Sequence, residues 1–203
     1  MTIEQESLLS QLNKYWQCFH CRIIEDPQLA KDLEDSGMGW GVGIPCPKCG
    51  NTTSKNKFPN QRFQPLFEMM IESSSRPILV LMLAQTAFEG LLDDFVIRLT
   101  RRRQCPDDVE VAITGILTNL HSRKQFIKYL TGNTLKQMVQ QVGFPEILGQ
   151  LDLISKKRNL FLHSAYHSEL SSDDVRMALK FAADTVDFFA GLFSKYGDWV
   201  NPN

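Results

Sequence analysis

The spacing of apolar residues predicts a mainly helical protein from about Arg62 onward. The longest pattern begins at Ser75-Arg76-Pro77, where a serine that can cap a helix stands close to a proline suited to the first turn. The pattern can continue to Arg103, and its apolar residues cover a wide face, so we expect this helix to be central. Those residues are Leu79, Val80, Leu83, Ala84, Ala87, Phe88, Leu91, Leu92, Phe95, Val96 and Leu99.

Shorter apolar patterns predict further helices on both sides of the long one. We expect them over Ile3 to Tyr15, Val109 to Leu120, Arg123 to Leu130, Thr134 to Val142 and Gly143 to about Phe161. A last helix is capped by Ser171-Ser172-Asp173-Asp174 and runs to about Tyr196.

The last helix has one broad apolar face, and Phe181 and Phe188 lie off it. Its face consists of Val175, Ala178, Leu179, Ala182, Val186, Phe189, Leu192 and Phe193. A helical domain with surplus aromatic surface often buries the excess in a partner, so this pattern favours a dimer.

Before the helices lies a segment with two C-x-x-C pairs, Cys18 with Cys21 and Cys46 with Cys49. Zinc prefers four thiolates in a tetrahedron, and two intervening residues let both sulfurs of a pair reach one ion. Gly50 can supply the left-handed turn that such a knuckle needs. A redox pair needs only one C-x-x-C and a thioredoxin-like sheet, for which the chain shows no pattern. We therefore predict a structural Zn²⁺ ion held by all four cysteines in a zinc-ribbon module over residues 1–60, followed by an all-helical domain over residues 61–203.

Composition limits the classes of function. The 203 residues carry a formal net charge of −1, which argues against broad non-specific nucleic-acid binding but allows a local basic patch. The acidic N-terminus lacks the apolar core of a secretory signal, and the longest apolar run, Ile78 to Ala84, is too short to span a bilayer. We expect a cytoplasmic protein with no membrane contact.

The candidate chemistry lies in the run from Lys156 to His163, which contains the pattern R-N-x-x-x-H. Histidine can accept or donate a proton near neutral pH, and arginine can hold a phosphate in two contacts. Asn159 stands one helical turn before His163, so it can orient the imidazole or bond the phosphate. Arg158, Asn159 and His163 are thus the candidate catalytic residues.

This motif resembles the R-x(4–6)-H signature of the HEPN superfamily, in which an asparagine often follows the arginine. The resemblance covers roughly Arg62 to Asp198 and includes the position of the motif ahead of one long final helix. It implies a HEPN-like helical bundle that dimerises and cleaves RNA without a metal ion, by attack of the 2′-hydroxyl. It also implies a toxin or phage-defence effector with an inhibitory or activating protein partner.

The spacing of the motif restricts its geometry. Arg158 and His163 are five positions apart, which is about 140° around a continuous helix. Either the helix ends before His163, or the site combines residues of two chains, and the resemblance implies the second. HEPN domains also often carry a polar residue on an early helix near the motif, and Glu89 is the residue we assign to that role.

Other polar residues have two interpretations. Gln85, Glu89 and Asp93 follow each other at intervals of four residues. They form either the exposed edge of their helix or the lining of a cleft. Arg101 and Arg102, in a basic cluster from Arg98 to Arg103, either contact RNA or complement the end of their helix. We assign Arg101, Arg102, Lys156 and Lys157 to RNA binding.

The motif also has an interpretation without catalysis. Lys156 to Arg158 can be a solvated run that complements a helix C-terminus, and His163 can be a capping residue. The protein would then be a nucleic-acid- or protein-binding module with a structural zinc ribbon. The near-neutral charge mildly favours such a module or a very selective nuclease. The intact motif favours the endoribonuclease.

Overall fold

The computed structural model describes residues 1–18, 23–28, 45–46, 48–50, 55–103, 106–117, 119–163 and 170–196. Over these ranges the protein is mainly helical with one small sheet, which confirms the predicted mainly-α class. The helices are α1 (Ile3–Leu12), α2 (Gln64–Glu72), α3 (Pro77–Arg102), α4 (Asp107–Ile116), α5 (Leu120–Thr131), α6 (Leu135–Gln141), α7 (Ile147–His163) and α8 (Ser172–Tyr196).

The long helices α3 and α8 form the centre of the protein. The Phe88 ring of α3 packs against three rings of α8, and its centroid lies 5.7 Å from Phe181, 6.1 Å from Phe188 and 5.2 Å from Phe189. These four rings have no solvent exposure. Burying an aromatic side chain of this kind contributes roughly 2–3 kcal/mol, so this contact is a large term in the stability of the fold.

The expectation that Phe181 and Phe188 leave surplus surface for a partner is wrong. Both rings are buried inside the chain, because α8 is covered on several sides, by α1, α3 and α7. A helix enclosed in this way buries residues outside its most apolar face. These two residues therefore give no support to a dimer.

Helix ends follow local capping only in part. Thr2 and Gln5 form a reciprocal capping box at the start of α1, and Thr134 and Gln137 form another at α6. The predicted serine cap of α3 is wrong, since the residue at that position is Arg76 and no side chain caps the helix. The proline part of the signal is confirmed, because α3 begins at Pro77.

One predicted helix ends earlier than its apolar pattern suggested. The pattern from Val109 to Leu120 predicted a single helix, but α4 ends at Ile116 and α5 begins at Leu120. The Asn119 side chain accepts a hydrogen bond from the backbone N–H of Ser122 at 2.8 Å, which caps α5. The next helix, expected from Arg123, therefore begins at Leu120, and the boundary between the two helices lies a few residues earlier than predicted.

A three-stranded antiparallel sheet follows α1, with the order β2 (Ile23–Glu25), β1 (Tyr15–Cys18), β3 (Lys55–Phe58). The predicted first helix thus ends at Leu12, and Tyr15 belongs to β1. Cys18, at the end of β1, pairs with Lys55 in β3. The glycine-rich segment from Gly37 to Ile44 lies outside the described residues.

The sheet and α1 share the hydrophobic core of the helices. Leu8, Leu12 and Phe58 belong to the same buried cluster as α3 and α8, and the Phe58 ring lies 5.3 Å from that of Phe193. The division at residue 60 therefore separates two sequence modules that pack around one core.

Polar contacts also hold the sheet against the helices. The guanidinium of Arg98 donates to the Gln17 side chain of β1 and lies 4.4 Å from the centre of the Phe193 ring. Tyr15 donates to Asp187 at 2.5 Å, which joins β1 to α8. None of the helices in the described ranges combines the length and apolar composition of a bilayer-spanning segment.

We predict that Gly90→Ala destabilises the protein by about 1–3 kcal/mol, measured by urea unfolding. A Cβ at Gly90 would lie 2.7 Å from Cε1 of Phe63, a ring that is 5% exposed and has little room to move.

Gly149→Ala is the matched control for Gly90→Ala. No atom lies within 4 Å of the added Cβ in α7, so the higher helix propensity of alanine should stabilise the protein by about 0.5–1 kcal/mol. Equal stabilities of the two variants would contradict the close contact between α3 and Phe63.

Candidate functional site

Three cysteines that are distant in sequence meet at one end of the sheet. The sulfurs of Cys18, Cys46 and Cys49 all lie within 4.8 Å of one another, and those of Cys18 and Cys49 are 3.9 Å apart. Cys18 and Cys46 are buried and Cys49 is exposed. Two sulfurs of a disulfide are about 2.05 Å apart, so this spacing excludes a bond between Cys18 and Cys49.

The spacing fits thiolates around a metal ion. Two sulfurs bound tetrahedrally at about 2.3 Å from one ion lie about 3.8 Å apart, close to the observed separation. The backbone N–H of Gly50 donates to the carbonyl of Cys46 at 2.8 Å, and Gly50 has a φ of 69°. This is the predicted left-handed turn after the second knuckle. Cys21, the fourth predicted ligand, lies outside the described residues.

The R-N-x-x-x-H motif occupies the last two turns of α7. The helix continues through His163, so the alternative in which it ends before the histidine is wrong. Arg158 donates to Oδ1 of Asn159 from Nε at 3.1 Å and from Nη2 at 2.7 Å. Asn159 and His163 are exposed and Arg158 is partly exposed. Since about 140° of helix separates Arg158 from His163, one copy of α7 presents them on different sides.

The two lysines beside the motif differ in their surroundings. Lys156 pairs with Asp152 at 2.6 Å on the exposed side of α7. Lys157 pairs with Asp174 at 2.5 Å, and the Asp174 side chain is only 7% exposed. Asp174 also accepts from the backbone N–H of Ser171 at 2.8 Å, at the start of α8. Lys157 therefore anchors the motif helix to α8, and Lys156 is the lysine whose ammonium group is better exposed.

The stripe Gln85, Glu89 and Asp93 on α3 connects two other helices. Ser155 of α7 donates to Oε1 of Gln85 at 3.2 Å, and Nε2 of Gln85 donates to Glu89 at 2.7 Å. Arg123 of α5 lies 3.5 Å from Glu89 and 2.6 Å from Asp93. We call these five residues the polar ladder. They form a chain of contacts from α7 across α3 to α5, in which the side chains of Glu89 and Asp93 stay 37% and 42% exposed.

Glu89 reaches the motif only indirectly. Its side chain contacts Gln85 and Arg123, and among the described residues it makes no hydrogen bond or ion pair with Arg158 or His163. Ser155, at the α7 end of the ladder, stands one turn before Asn159. Burial raises the pKa of Asp93, although the charge of Arg123 opposes this shift.

Sequence reasoning missed Arg123. It is 8% exposed and lies on the buried face of α5 with Ile127 and Leu130. An arginine at an apolar position of an amphipathic helix needs a buried acidic partner, and a carboxylate stripe on a neighbouring helix offers one. That combination is the signal that identifies it.

The basic cluster at the end of α3 is divided by the fold. Arg98 points inward, where burial lowers its pKa to about 10, still far enough above neutral pH for the side chain to stay charged. Arg103 donates to the carbonyl of Leu130 at 2.5 Å, at the end of α5. Arg101 is exposed, and the side chain of Arg102 lies outside the part of the chain that the structure describes. The exposed Arg101 thus remains a candidate for RNA binding.

Comparison with protein-family models, with curated proteins and with solved structures found no match to this chain. Its function is therefore argued from its own residues.

We predict that Asp174→Asn lowers the free energy of unfolding by about 1–2 kcal/mol at neutral pH. Burial alone would raise the pKa of Asp174, but hydrogen bonds from Lys157 and Ser171 outweigh it and hold that pKa below its ordinary value. The carboxylate therefore stabilises the fold above the ordinary carboxyl pKa of about 3.9, and the stabilisation is lost as the pH falls through the lowered folded-state pKa. Urea unfolding from pH 7 down to acid measures the difference.

Asp152→Asn serves as the control for Asp174→Asn. It removes a carboxylate that pairs with the neighbouring Lys156, but with both side chains more than 60% exposed. Its effect should stay within about 0.5 kcal/mol. An Asp174→Asn effect no larger than that of Asp152→Asn, or one that persists undiminished in acid, would refute the role assigned to the Lys157–Asp174 pair.

Proposed function

We propose that this protein is a metal-independent endoribonuclease whose site is formed by Arg158, Asn159 and His163. The observation that carries the proposal is the exposure of an imidazole together with a guanidinium–carboxamide pair on the last two turns of one helix. The resemblance of this motif to the HEPN signature, and the mainly helical fold around it, support the same function.

The proposed reaction is an internal transfer at one phosphodiester. The 2′-oxygen of a ribose attacks its adjacent phosphorus, and the bond from phosphorus to the 5′-oxygen of the next nucleotide breaks. One neutral imidazole takes the proton of the 2′-hydroxyl and becomes an imidazolium, while the imidazolium of a second histidine gives its proton to the departing 5′-oxygen and becomes neutral. Arg158 binds the charge on the phosphoryl oxygens, and Asn159 orients Arg158. The products are a 2′,3′-cyclic phosphate and a free 5′-hydroxyl.

This chemistry calls for a second copy of the chain. One copy supplies one His163, and α7 holds it about 140° around the helix from Arg158. A shared cleft in a homodimer would supply both imidazoles and bring the arginine of one copy near the histidine of the other. Exposed leucines lie before and within the motif on α7 and support such a contact, since Leu153, Leu160 and Leu162 are 44%, 58% and 53% exposed.

We also propose that Cys18, Cys46 and Cys49, with Cys21 as the fourth ligand, hold a structural Zn²⁺ ion. Four thiolates would leave no coordination position for a substrate, so the ion would hold the knuckles together and take no part in cleavage. The resemblance further supports a role as a toxin or phage-defence effector that a protein partner restrains or activates.

Purified protein should cleave cellular RNA in the presence of EDTA and leave 2′,3′-cyclic phosphate ends. Arg158→Ala and His163→Ala should each lower the rate by at least about a hundredfold, because each removes a group that acts on the phosphate or on a proton in transit. Arg176→Ala, which removes an exposed arginine paired with Asp173 on α8, is the control and should cleave normally. Circular dichroism and zinc content should be the same in all four proteins.

Mixing tests the shared cleft. When wild-type and His163→Ala chains are co-expressed in equal amounts, about a quarter of the dimers contain two histidines, so about a quarter of the activity should remain. Half of the activity would show that each chain acts alone. Intact RNA from a folded wild-type dimer, over several substrates, would defeat the nuclease proposal and favour a binding module.

The metal proposal predicts about one zinc ion per chain by elemental analysis. Cys46→Ser should abolish that zinc while the helical content is kept, because the aromatic core lies between α3 and α8, away from the sulfurs. Cys105→Ser is the matched control, since Cys105 stands outside both C-x-x-C pairs and its loss should leave the zinc in place. Zinc retained by Cys46→Ser at the wild-type level would rule out this site.

A further inference from the structure

Charge is distributed unevenly along the chain. Residues 111–145 contain none of the 23 Asp and Glu residues but contain Arg123, Lys124, Lys128 and Lys136. Since the whole chain has a formal charge of −1 and this stretch carries +4, the remainder carries −5. Arg123 is buried against Glu89 and Asp93, so the cations of this stretch that a polyanion can meet are Lys124, Lys128 and Lys136, two of them on α5.

The outer side of α5 is an aromatic surface. The Tyr129 side chain is 83% exposed, and its ring lies 6.5 Å from that of Phe126 with an angle of 22° between the planes. An open pocket of about 470 Å³ lies beside the two rings. We call its lining the α5 platform, which consists of Leu117, His121, Ser122, Gln125, Phe126 and Tyr129.

The platform combines three kinds of recognition chemistry. The exposed Tyr129 ring offers a stacking surface and contributes little to the protein's own core. Phe126 packs partly against the core and adds the part of its ring that lines the pocket. His121 and Gln125, whose side-chain nitrogens are 3.1 Å apart, offer hydrogen bonds at the edge of the pocket. Lys128 and Lys124 lie one turn apart on the same helix, about 100° and 140° around its axis from Tyr129. Their long side chains can meet phosphates of a strand that runs around α5 from the aromatic rings.

We propose that the α5 platform binds a single-stranded segment of RNA, with bases stacked on Tyr129 and Phe126 and phosphates at Lys124 and Lys128. Stacking faces, edge hydrogen bonds and cations on one helix match an unpaired polynucleotide, which offers its base faces as well as its phosphates. The base faces of a duplex are stacked inside it, and the carboxylates of an acidic peptide match the lysines but do not stack on the aromatic pair.

The platform is joined to the proposed catalytic helix through the polar ladder. Arg123 fixes α5 to Glu89 and Asp93 of α3, and Gln85 continues the contact to Ser155 of α7. This inference rests on the proposed function, because the strand that the platform holds would be the RNA that is cut at Arg158 and His163. The platform would then contribute to substrate affinity and leave the chemical step unchanged.

The test measures binding and cleavage separately. Binding uses fluorescence anisotropy with a 2′-O-methyl single-stranded RNA of about twelve nucleotides, which lacks the attacking hydroxyl and stays intact. Tyr129→Ala should weaken binding about tenfold, and Tyr129→Phe should restore it because it keeps the ring. Lys124→Gln combined with Lys128→Gln should lower the slope of log affinity against log salt by about 1.4, from two lost phosphate contacts.

Matched variants exclude general effects. Ile3→Ala removes an apolar side chain that is 82% exposed, and Arg176→Gln with Lys180→Gln removes two cations one turn apart on α8. Both should bind RNA as the wild type does. In cleavage assays Tyr129→Ala should raise KM and leave kcat unchanged.

The outcomes separate the two proposals. Equal affinities of Tyr129→Ala and wild type for the single strand would overturn the platform, and this is the result expected if the surface serves a protein partner. Binding of a duplex as tight as that of the single strand would also overturn it. Weaker binding by Tyr129→Ala, in a protein that cuts no RNA, would support the platform while the nuclease proposal fails. Cleavage by Tyr129→Ala with a normal rate and an unchanged KM would overturn the platform and support the nuclease proposal.

Discussion

The contact between α3 and α8 is a row of phenylalanine rings, and the other elements pack around it. Phe88 stands against Phe181, Phe188 and Phe189, while Phe95 lies 5.4 Å from Phe193 further along. Close-packed rings leave little freedom for the two helices to slide, because a small shift opens voids on one side and clashes on the other. Because α1, α2, α5 and α7 pack against this rigid pair of helices, the pair sets their positions.

Cations contribute several of the contacts that connect the outer elements to this pair, and they meet carboxylates or, for Arg98, the Gln17 side chain. Arg98 joins the sheet to α3 and α8, Arg123 joins α5 to α3, and Lys157 joins α7 to α8. Apolar packing alone fixes distances well but fixes helix rotation less strictly, whereas a hydrogen-bonded ion pair fails when either helix turns. The rotation of α7 matters most, because it decides which way Arg158 and His163 point.

Sequence patterns predicted much of this fold because helices carry their own signals. The 3.6-residue spacing located α3 and α8, and the two C-x-x-C pairs predicted the cluster that Cys18, Cys46 and Cys49 form. The pattern failed for Phe181 and Phe188, which are buried by elements far away in sequence. It also misplaced the start of α5 by a few residues, because apolar spacing does not register the local cap at Asn119. The convergence of the three sulfurs depends on the pairing of β1 with β3. The sequences of such short strands predict their pairing only weakly.

The charges around the polar ladder affect how selective the proposed RNA-binding surface can be. Glu89 and Asp93 are 37% and 42% exposed, and Arg123 compensates only one of their two charges. A nucleic acid lying across α3 would therefore meet repulsion at the middle of its path, with cations at α5 on one side and at α7 on the other. Such a surface disfavours uniform contact with any phosphate backbone and favours a strand held at two separated points. Selectivity of this kind is compatible with a chain whose net charge is −1.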